Sequence, residues 1–269
     1  MYLADYHTHS RISSDGRVPM AEMAEAAITA GLHEICFTDH VAPVYWGDLR
    51  PRDTFPWEDL QTEFDLAKSA IGDRITMRLG VELGDMTRNF EGAKTLRANM
   101  PELDFIIGSL HTMTEPYGSV DLSKFLPKTE EEVRAGLQVY LDQLREIAEW
   151  GEFSVLGHLT LPLRYLNEEQ GLQVTFDAFE EEIRYIFRTL IDKGVGIELN
   201  TNRGNAPLPD AKWLKLYREL GGEIITLGSD AHSTGYVGCK IRENQRLLRE
   251  CGFRYFCTFE KLRPVWREL

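Results

Sequence analysis

The chain lacks the features of a secreted, disulfide-stabilised or membrane-spanning protein. Its 269 residues include only four cysteines, Cys36, Cys239, Cys251 and Cys257, and none of them belongs to a C-x-x-C pair. Cys36 lies within an apolar run, where a buried free thiol is the usual state. No basic stretch followed by an apolar segment opens the sequence, and no apolar run approaches the length of a membrane span. We therefore expect a soluble, cytoplasmic protein without a membrane partner.

Positive charge is scarce as well. The chain has 30 Lys and Arg residues against 43 Asp and Glu residues, and its net charge is −13. This balance argues against a protein that coats a nucleic-acid strand or an anionic membrane. It is compatible with a cluster of acidic ligands that bound cations partly neutralise. Linkers rich in Gly, Ser or Pro are also lacking, so we expect one domain over residues 1–269.

Seven short apolar runs alternate with longer stretches of helical periodicity. The runs are 2–8, 34–40, 76–82, 104–111, 153–158, 196–200 and 223–232. They are nearly continuous in apolar residues up to their last positions, which is typical of strands buried on both faces. Helical patterns occupy 19–31, 129–148, 174–193, 208–220 and 237–250. The alternation predicts a parallel α/β protein, either a barrel or an open doubly wound sheet.

Polar residues collect at the ends of the predicted strands. They are His7, His9, Asp39, His40, Glu82, His111, His158, Asn200, Asp230 and His232, and they include six of the seven histidines. In a βα barrel the carboxyl ends of all strands converge on one face, where active sites are built. In an open sheet the same ends would spread along an edge and could not all reach one centre. The set therefore favours a closed, or nearly closed, barrel with a single site.

Imidazoles and carboxylates without cysteine form a ligand set that suits Zn²⁺, Mn²⁺ or Fe²⁺. Glu82 is the natural bridge, because a carboxylate can span two ions that lie about 3.5–4 Å apart. The candidates outnumber the ligands that one metal ion takes, so we expect two or three divalent ions. Taken singly, a histidine could equally be a solvated side chain, as we interpret His33, and Asp39 could cap the following helix.

Arginines and aromatic residues after the strands are weaker candidates. Arg164 and Arg203 follow the fifth and sixth strands, where a guanidinium group could bind phosphate oxygens or simply lie at the surface. The aromatic candidates are Tyr45, Trp46 and Tyr117, which belong to the long loops 41–56 and 112–128. Long loops in compact domains are often functional. These rings could wall a substrate pocket or anchor their own loops.

Several motifs, taken in order, resemble those of the polymerase-and-histidinol-phosphatase (PHP) family. They are DYHTHS with the following SSDG, then FTDH, GVE, GSLH, LGH and SDAH, and they span essentially the whole chain. The chain length and the GSLH and LPLRY neighbourhoods are most similar to the monofunctional histidinol-phosphatase branch. The resemblance implies a distorted (β/α)7 barrel, similar to a TIM barrel, with a trinuclear metal site at the carboxyl ends of its strands.

The resemblance also implies how the ligands are distributed. The first metal ion would be bound by His7, His9, Glu82 and Asp230, the second by Glu82, His111 and His158, and the third by Asp15, His40 and His232. Asp15 stands where many relatives carry histidine. The loop after Asn200 is short for the histidinol-phosphatase branch.

The implied activity is hydrolysis of the phosphate monoester L-histidinol phosphate to L-histidinol and phosphate, within histidine biosynthesis. A hydroxide that bridges the first two metal ions would attack phosphorus, its pKa lowered by the cations. Substrate would be bound by Arg164, Arg203 and His40, and Arg164 would also stabilise charge that develops in the transition state. Asp15 or His232, near the third metal ion, would protonate the leaving alkoxide, or that ion would stabilise the alkoxide directly.

Other functions stay open on the sequence alone. The same chemistry could act on another small monoester, or on a cyclic or dinucleotide diester. Amidohydrolase barrels also begin with H-x-H and hydrolyse C–N or ester bonds, but Glu82 as the bridge and His232 beside Asp230 favour a phosphoesterase. A metal-binding regulatory module without turnover would be expected to have lost ligands, and this chain keeps the full set.

Overall fold

The seven predicted strands form one parallel sheet that curves into a nearly closed barrel. The computed structural model describes residues 1–46, 48–114, 116–117 and 121–269. The barrel strands are β1 (Ala4–Thr8), β2 (Glu34–Val41), β3 (Thr76–Gly84), β4 (Phe105–Ser109), β5 (Val155–Leu156), β6 (Gly196–Asn200) and β7 (Ile225–Gly228). Each strand pairs in parallel with the next, in chain order.

The barrel closes where β1 meets the segment that follows β7. Thr8 and Ala231 form a parallel bridge, and the backbone N–H of His9 donates to the carbonyl of Ala231 at 2.8 Å. The backbone N–H of Asp230 donates to the carbonyl of His7, also at 2.8 Å. An open doubly wound sheet would leave these two edges apart. The predicted barrel is therefore confirmed, and its closure places the end of β1 beside Asp230.

A helix follows each barrel strand. The helices are α1 (Met20–Thr29), α2 (Trp57–Ile71), α3 (Phe90–Ala98), α4 (Glu130–Trp150), α5 (Glu180–Asp192), α6 (Ala211–Glu219) and α7 (Ile241–Glu250). α4 begins as predicted, because the Thr129 hydroxyl accepts a hydrogen bond from the backbone N–H of Glu132 at 3.1 Å. α6 begins three residues later than the periodicity suggested, since Asp210 caps it by accepting from the backbone N–H of Lys212 at 2.9 Å.

Three strands end earlier than the apolar runs predicted: β4 ends at Ser109 rather than at residue 111, and β5 and β7 end early where the backbone turns. The fifth run extends to His158, but β5 ends at Leu156, and the seventh extends to His232, but β7 ends at Gly228. The reason is local: His158 has φ +22° and Asp230 has φ +59°, which strand geometry does not allow. At both places the backbone leaves the ladder and turns its polar side chain towards the centre of the barrel face.

An antiparallel hairpin of β8 (Tyr255–Glu260) and β9 (Arg263–Glu268) follows the barrel and was not predicted. Its backbone N–H at Phe259 donates to the hydroxyl of Tyr6 at 2.8 Å. Arg267 of β9 lies 3.3 Å from the carboxylate of Glu34, the first residue of β2. The hairpin therefore covers the amino ends of the strands, opposite the face that carries the polar strand ends.

The described helices are unlike segments that span a bilayer. Within the described part of the chain, none combines the length and the apolar character that crossing a membrane requires.

Candidate metal centre

Glu82, which is fully buried in β3, is the point on which the strand ends converge. Its Oε1 lies 2.9 Å from His158 Nε2 and 3.2 Å from His111 Nε2. Its Oε2 lies 2.8 Å from His40 Nδ1 and 3.3 Å from His7 Nε2. Burial alone would raise the pKa of Glu82, but His7, His111 and His40 lower it well below its usual range. One ionised carboxylate thus faces imidazoles from four strand ends.

His7, His9 and Asp230 form a second group where β1 meets the end of β7. Asp230 Oδ1 lies 3.5 Å from His9 Nε2 and 3.8 Å from His7 Nε2. Asp230 Oδ2 lies 2.7 Å from Nη2 of Arg164. Burial opposes ionisation of Asp230, but Arg164 and His7 hold its pKa well below the usual range. This carboxylate therefore has one oxygen beside the histidines and the other beside an arginine.

Asp15 and two further histidines form a third group at the rim. Asp15 Oδ2 lies 3.0 Å from His232 Nε2 and 3.6 Å from His40 Nε2. The ring of His9 stacks between those of His40 and His232, with centroid distances of 4.2 Å and 4.0 Å. Asp15 keeps 48% of its side chain exposed, whereas Glu82 and His9 have none. The centre therefore opens to solvent on the side of Asp15.

The pKa values of two of the innermost imidazoles are shifted towards the neutral form, which is the form that binds metals. Burial lowers the pKa of His9 well below its usual range, and the neighbouring His40 and His232 lower it further. Burial also lowers the pKa of His158. A neutral imidazole presents a free lone pair, so these two side chains need not release a proton when a cation binds.

The buried donor atoms test whether the centre fits metal ions. Within the described part of the chain, the side-chain atoms without a hydrogen-bond partner include His7 Nε2, His9 Nε2, His40 Nδ1 and Glu82 Oε2. These atoms lie close to one another, yet their angles do not suit hydrogen bonds, and burying polar atoms in this way is costly. Ligand atoms on one tetrahedral zinc ion would lie about 3.4 Å apart, close to the spacings observed. The residues therefore fit divalent metal ions.

The candidate ligands form groups of three residues whose donor atoms lie close together. The groups whose donor atoms all lie within 4.8 Å of one another are His9–His40–His232, His7–His9–Asp230, His7–Glu82–His158 and His40–Glu82–His111. All nine predicted ligands lie in this one region, with Asp15 joined to it through His40 and His232. Four residues, His7, His9, His40 and Glu82, each belong to two groups, so the assignment of every residue to one ion stays a prediction.

Glu198, in the middle of β6, was missed by the sequence analysis. Its Oε1 lies 2.7 Å from His7 Nδ1, and its Oε2 accepts a hydrogen bond from the backbone N–H of His158 at 2.8 Å. Asn200, predicted as a strand-end candidate, donates to the same carboxylate at 3.2 Å. A Cβ atom at Gly228 would lie only 2.3 Å from Glu198 Oε1, so this close approach requires glycine. The signal that could have identified Glu198 in the sequence is its charge inside the apolar run GIELN.

Asp85 was also missed, and it holds the loops after β3 and β4 together. Its Oδ1 accepts from the backbone N–H groups of His111 and Thr112, both at 2.9 Å. Its Oδ2 accepts from the indole N–H of Trp46 at 3.1 Å. Its position three residues after GVE carried no recognisable signal in the sequence. Asp85 therefore orients His111, which faces Glu82, and fixes the Trp46 ring beside it.

Asp39 has a supporting role that differs from both of its sequence interpretations. It accepts from the backbone N–H of Ser10 at 2.6 Å and from the Ser13 hydroxyl at 2.7 Å. These bonds fold the loop between His9 and Asp15. Asp39 is thus neither in the observed ligand groups nor a cap of α2, and it positions the loop that carries Asp15.

Arg164 and Arg203 both lie beside Asp230. Arg164 is buried, begins a π-helical turn and donates from Nε to the Asn202 side chain at 2.6 Å. Arg203 donates from Nε to the carbonyl of Asp230 at 3.2 Å, and its Nη2 lies 3.4 Å from His232 Nδ1. Two guanidinium groups therefore flank one edge of the centre, although their contact with a substrate stays a prediction.

The aromatic candidates separate into two kinds. The Trp46 ring lies 4.6 Å from His40 and 5.5 Å from His111, edge-on to both, so it borders the centre. Tyr117 packs edge-on against Phe125 at 5.1 Å, which fits the interpretation as a loop anchor. Residue 47 of the first long loop and residues 115 and 118–120 of the second lie outside the described residues.

The fold and the site together define a parallel βα barrel with a metal-binding centre of histidines and carboxylates at the carboxyl ends of its strands. A family model described as the PHP domain matches residues 5–202, well over half of the chain. The chain belongs to the PHP family, as its motifs predicted. Asp230 and His232 lie beyond the matched segment and still complete the observed centre.

Relatives of known name match over nearly the whole chain. The chain is 28% identical over 265 residues to the histidinol-phosphatase of Lactococcus lactis, which covers 96% of this chain and 95% of the relative. It is 26% identical over 264 residues to a probable histidinol-phosphatase of Deinococcus radiodurans, covering 94% and 95%. The crystal structure of the Lactococcus lactis histidinol phosphate phosphatase, complexed with zinc, L-histidinol and phosphate, is similar with a TM-score of 0.80 at 25% identity over 98% of both chains. The predicted fold is therefore confirmed.

Proposed function

We propose that this protein is a metal-dependent phosphatase that hydrolyses L-histidinol phosphate to L-histidinol and phosphate. The observation that carries the proposal is the near full-length similarity to a histidinol-phosphatase whose structure holds zinc, L-histidinol and phosphate. The centre around Glu82 supplies the matching chemistry, because its donor atoms suit cations that in turn suit phosphoryl oxygens.

We infer that the centre holds two or three divalent ions, Zn²⁺, Mn²⁺ or Fe²⁺. The expected ligands are His7, His9, Glu82 and Asp230 for the first, Glu82, His111 and His158 for the second, and Asp15, His40 and His232 for the third. Bound there, the ions would supply a water molecule of lowered pKa and neutralise charge on the phosphoryl group. Glu198 and Asp85 orient His7 and His111 for this task.

Arg164 and Arg203 are placed to bind the phosphoryl group. A guanidinium fork matches phosphate oxygens, and a positive charge that is already fixed stabilises the additional negative charge of the transition state. Arg164 is held by Asp230 and Asn202, so its position needs no rearrangement when substrate arrives. His40 lies between Glu82 and Asp15 and would contact the substrate from the side opposite the two arginines.

The leaving alkoxide needs a proton, and we assign its delivery to the pair formed by Asp15 and His232. Their side chains lie 3.0 Å apart at the open rim, where the organic part of a substrate would leave. The imidazole would hold the proton and pass it to an oxygen within hydrogen-bond reach, while Asp15, whose pKa, despite burial, His232 and His40 lower well below its usual range, would hold the imidazole in place as a carboxylate. Arg203, 3.4 Å from His232, orients the imidazole.

We also propose that residues 1–269 act as one PHP-type unit. The family match ends at residue 202, but β7 pairs with β6 and the segment after it bonds to β1. Asp230 and His232 belong to that final part of the barrel. A cytoplasmic location is part of the same proposal, and the free state of all four cysteines supports it.

The deciding experiment measures phosphate release from L-histidinol phosphate after reconstitution with Zn²⁺, Mn²⁺ or Fe²⁺. Other monoesters, a cyclic dinucleotide, an amide and a lactone serve as competing substrates. We expect selective turnover of L-histidinol phosphate. The matched control is His33→Asn, because His33 lies away from the centre and Asn retains an acceptor for the Leu3 N–H. Turnover of the amide or the diester instead would overturn the proposal.

A further inference from the structure

A cavity of about 280 Å³ opens beside the metal centre, on the side formed by the loop between β2 and α2. Its wall includes His40, which belongs to the centre, and Tyr45, Trp46, Arg52 and Phe55 of the loop. His40 is thus shared by the cavity and the site where the proposed function places the phosphoryl group. A substrate bound at the centre could extend its organic part into this space.

Arg52 is the one guanidinium among the described residues that line this cavity, and its position is fixed by several contacts. Its guanidinium carbon lies 5.2 Å from the ring centroid of Tyr45 and 5.0 Å from that of Phe55. Its Nε donates to the carbonyl of Thr54 at 2.8 Å, and its backbone N–H donates to the carbonyl of Pro43 at 2.8 Å. The side-chain stem is therefore held in place, while the terminal fork forms no hydrogen bond with the described residues.

Arg52 also lacks an acidic partner. Among the residues that the structure describes, no carboxylate lies within ion-pair distance of it, and burial lowers the pKa of its guanidinium. Arg50, in the same loop, lies at the same 5.2 Å from the Tyr45 ring but pairs with Asp48 at 2.5 Å. The contrast is pronounced in a chain with 43 acidic against 30 basic residues. A partly desolvated cation without a counter-charge is costly, and a bound anion would offset that cost.

We propose that this cavity is a substrate subsite in which Arg52 binds a carboxylate carried by the organic part of a phosphate monoester. The planar guanidinium fork matches the two oxygens of a carboxylate. The rings of Tyr45, Trp46 and Phe55 suit a flat, ring-bearing group between the carboxylate and the phosphoryl end. The inference rests on the proposed phosphatase chemistry but extends its range, since L-histidinol has no carboxylate.

The test compares substrates that differ only in the carboxylate. We would measure kcat/KM of the metal-loaded protein for phenyl phosphate and for its 3-carboxy and 4-carboxy derivatives. A charge-assisted pair at a partly exposed site should favour one carboxylated isomer by about tenfold. Arg52→Met and Arg52→Gln should reduce this ratio to about one, whereas the matched Arg50→Met should keep it. The ratio of the two kcat/KM values does not depend on the fraction of folded protein, because both substrates are assayed with the same sample.

A second measurement separates this inference from the proposed function. Calorimetry would give the affinities of phenylphosphonate and its carboxylated analogues, which bind without turnover. If no monoester is hydrolysed but the affinity ratio still depends on Arg52, the phosphatase proposal fails and the subsite stands. If monoesters are hydrolysed without any preference for a carboxylate, the subsite is wrong. The subsite is also wrong if Arg52→Met lowers kcat/KM for both substrates by the same factor, because a residue that only packs the loop would have that effect.

Discussion

Glu82 shows how much of the site depends on single residues. Its two oxygens face His158 and His111 on one side and His40 and His7 on the other. A fully buried carboxylate in that position would be costly without cations or protonated imidazoles around it. Because it contacts donors from several strands, its loss should affect more than one metal position.

We predict that Glu82→Gln reduces phosphate release at least about 100-fold and lowers the content of bound metal. Glutamine keeps the shape of the side chain but removes the charge that a bridging ligand supplies. Phosphate assays and elemental analysis of the purified protein would measure both effects. Glu243→Gln, an exposed change on α7, is the control. Wild-type metal content together with wild-type turnover in Glu82→Gln would contradict the assignment of the bridge.

Glu198 acts on the same centre through other residues. It fixes His7 through Nδ1 and His158 through the backbone, and the sequence analysis did not identify it. We predict that Glu198→Gln weakens metal affinity by about 10- to 100-fold, because the orienting charge behind His7 is lost. Competition against a chelator measures the affinity directly. A purely structural role would instead lower the melting temperature and leave the metal affinity of the folded protein unchanged.

At the scale of elements, the two ends of the barrel strands have different roles. The carboxyl ends carry the polar centre, whereas the amino ends are covered by the β8–β9 hairpin. Glu34, the buried first residue of β2, joins the hairpin to the barrel. It accepts from Arg78 of β3 at 3.1 Å and from Arg267 of β9 at 3.3 Å. The division agrees with the general separation of activity and stability between the faces of βα barrels.

We predict that Arg78→Met lowers the free energy of unfolding by about 3 kcal/mol, since it leaves Glu34 as a buried charge with Arg267 as its remaining cation. Urea denaturation at constant protein concentration measures the change. Arg74→Met is the matched control, because Arg74 and Glu25 are about half exposed at 50% and 52%, and solvent screening should leave their pair with a much smaller effect on the free energy of unfolding. Equal effects of the two variants would contradict the role given to Glu34.

At the scale of the whole molecule, the barrel leaves its thiols in unequal environments. Cys36, Cys251 and Cys257 are buried, while Cys239 is only partly covered. Burial raises the pKa of Cys257 to about 12 and that of Cys36 well above its usual range. A thiol that is covered and protonated reacts slowly with disulfide reagents.

We predict that one thiol, that of Cys239, reacts with Ellman's reagent in the native protein and that four react after denaturation. The absorbance of the released thiolate counts the reacting groups. Cys239→Ser should abolish the fast phase and leave three thiols after denaturation. Two or more fast thiols in the native wild-type protein would show that the barrel wall opens more readily than its packing indicates.

Prediction from sequence succeeded where the signal is local. Strand–helix alternation, apolar runs and short motifs are properties of short segments, and they identified the barrel and the PHP family. Strand-end chemistry supplied eight of the nine candidate ligands and the family resemblance added Asp15; their role as ligands stays a prediction. Prediction from sequence failed at Glu198 and Asp85, because a carboxylate inside or just after an apolar run gains its meaning from a neighbour far along the chain. Asp39 was ambiguous for the same reason, and its partners Ser10 and Ser13 lie on another loop.

The sequence by itself determined which side chains stand at the carboxyl ends of the strands and in what order, since strand periodicity and motif spacing are set within each segment. Only the tertiary structure decided that Glu82 lies between four imidazoles and that Arg164 shares Asp230 with the histidines. It also decided that β5 and β7 end early, where positive φ angles turn His158 and Asp230 inward. These features depend on closure of the barrel, which brings together residues more than 200 positions apart. A pattern within a short segment does not specify which distant residues will meet.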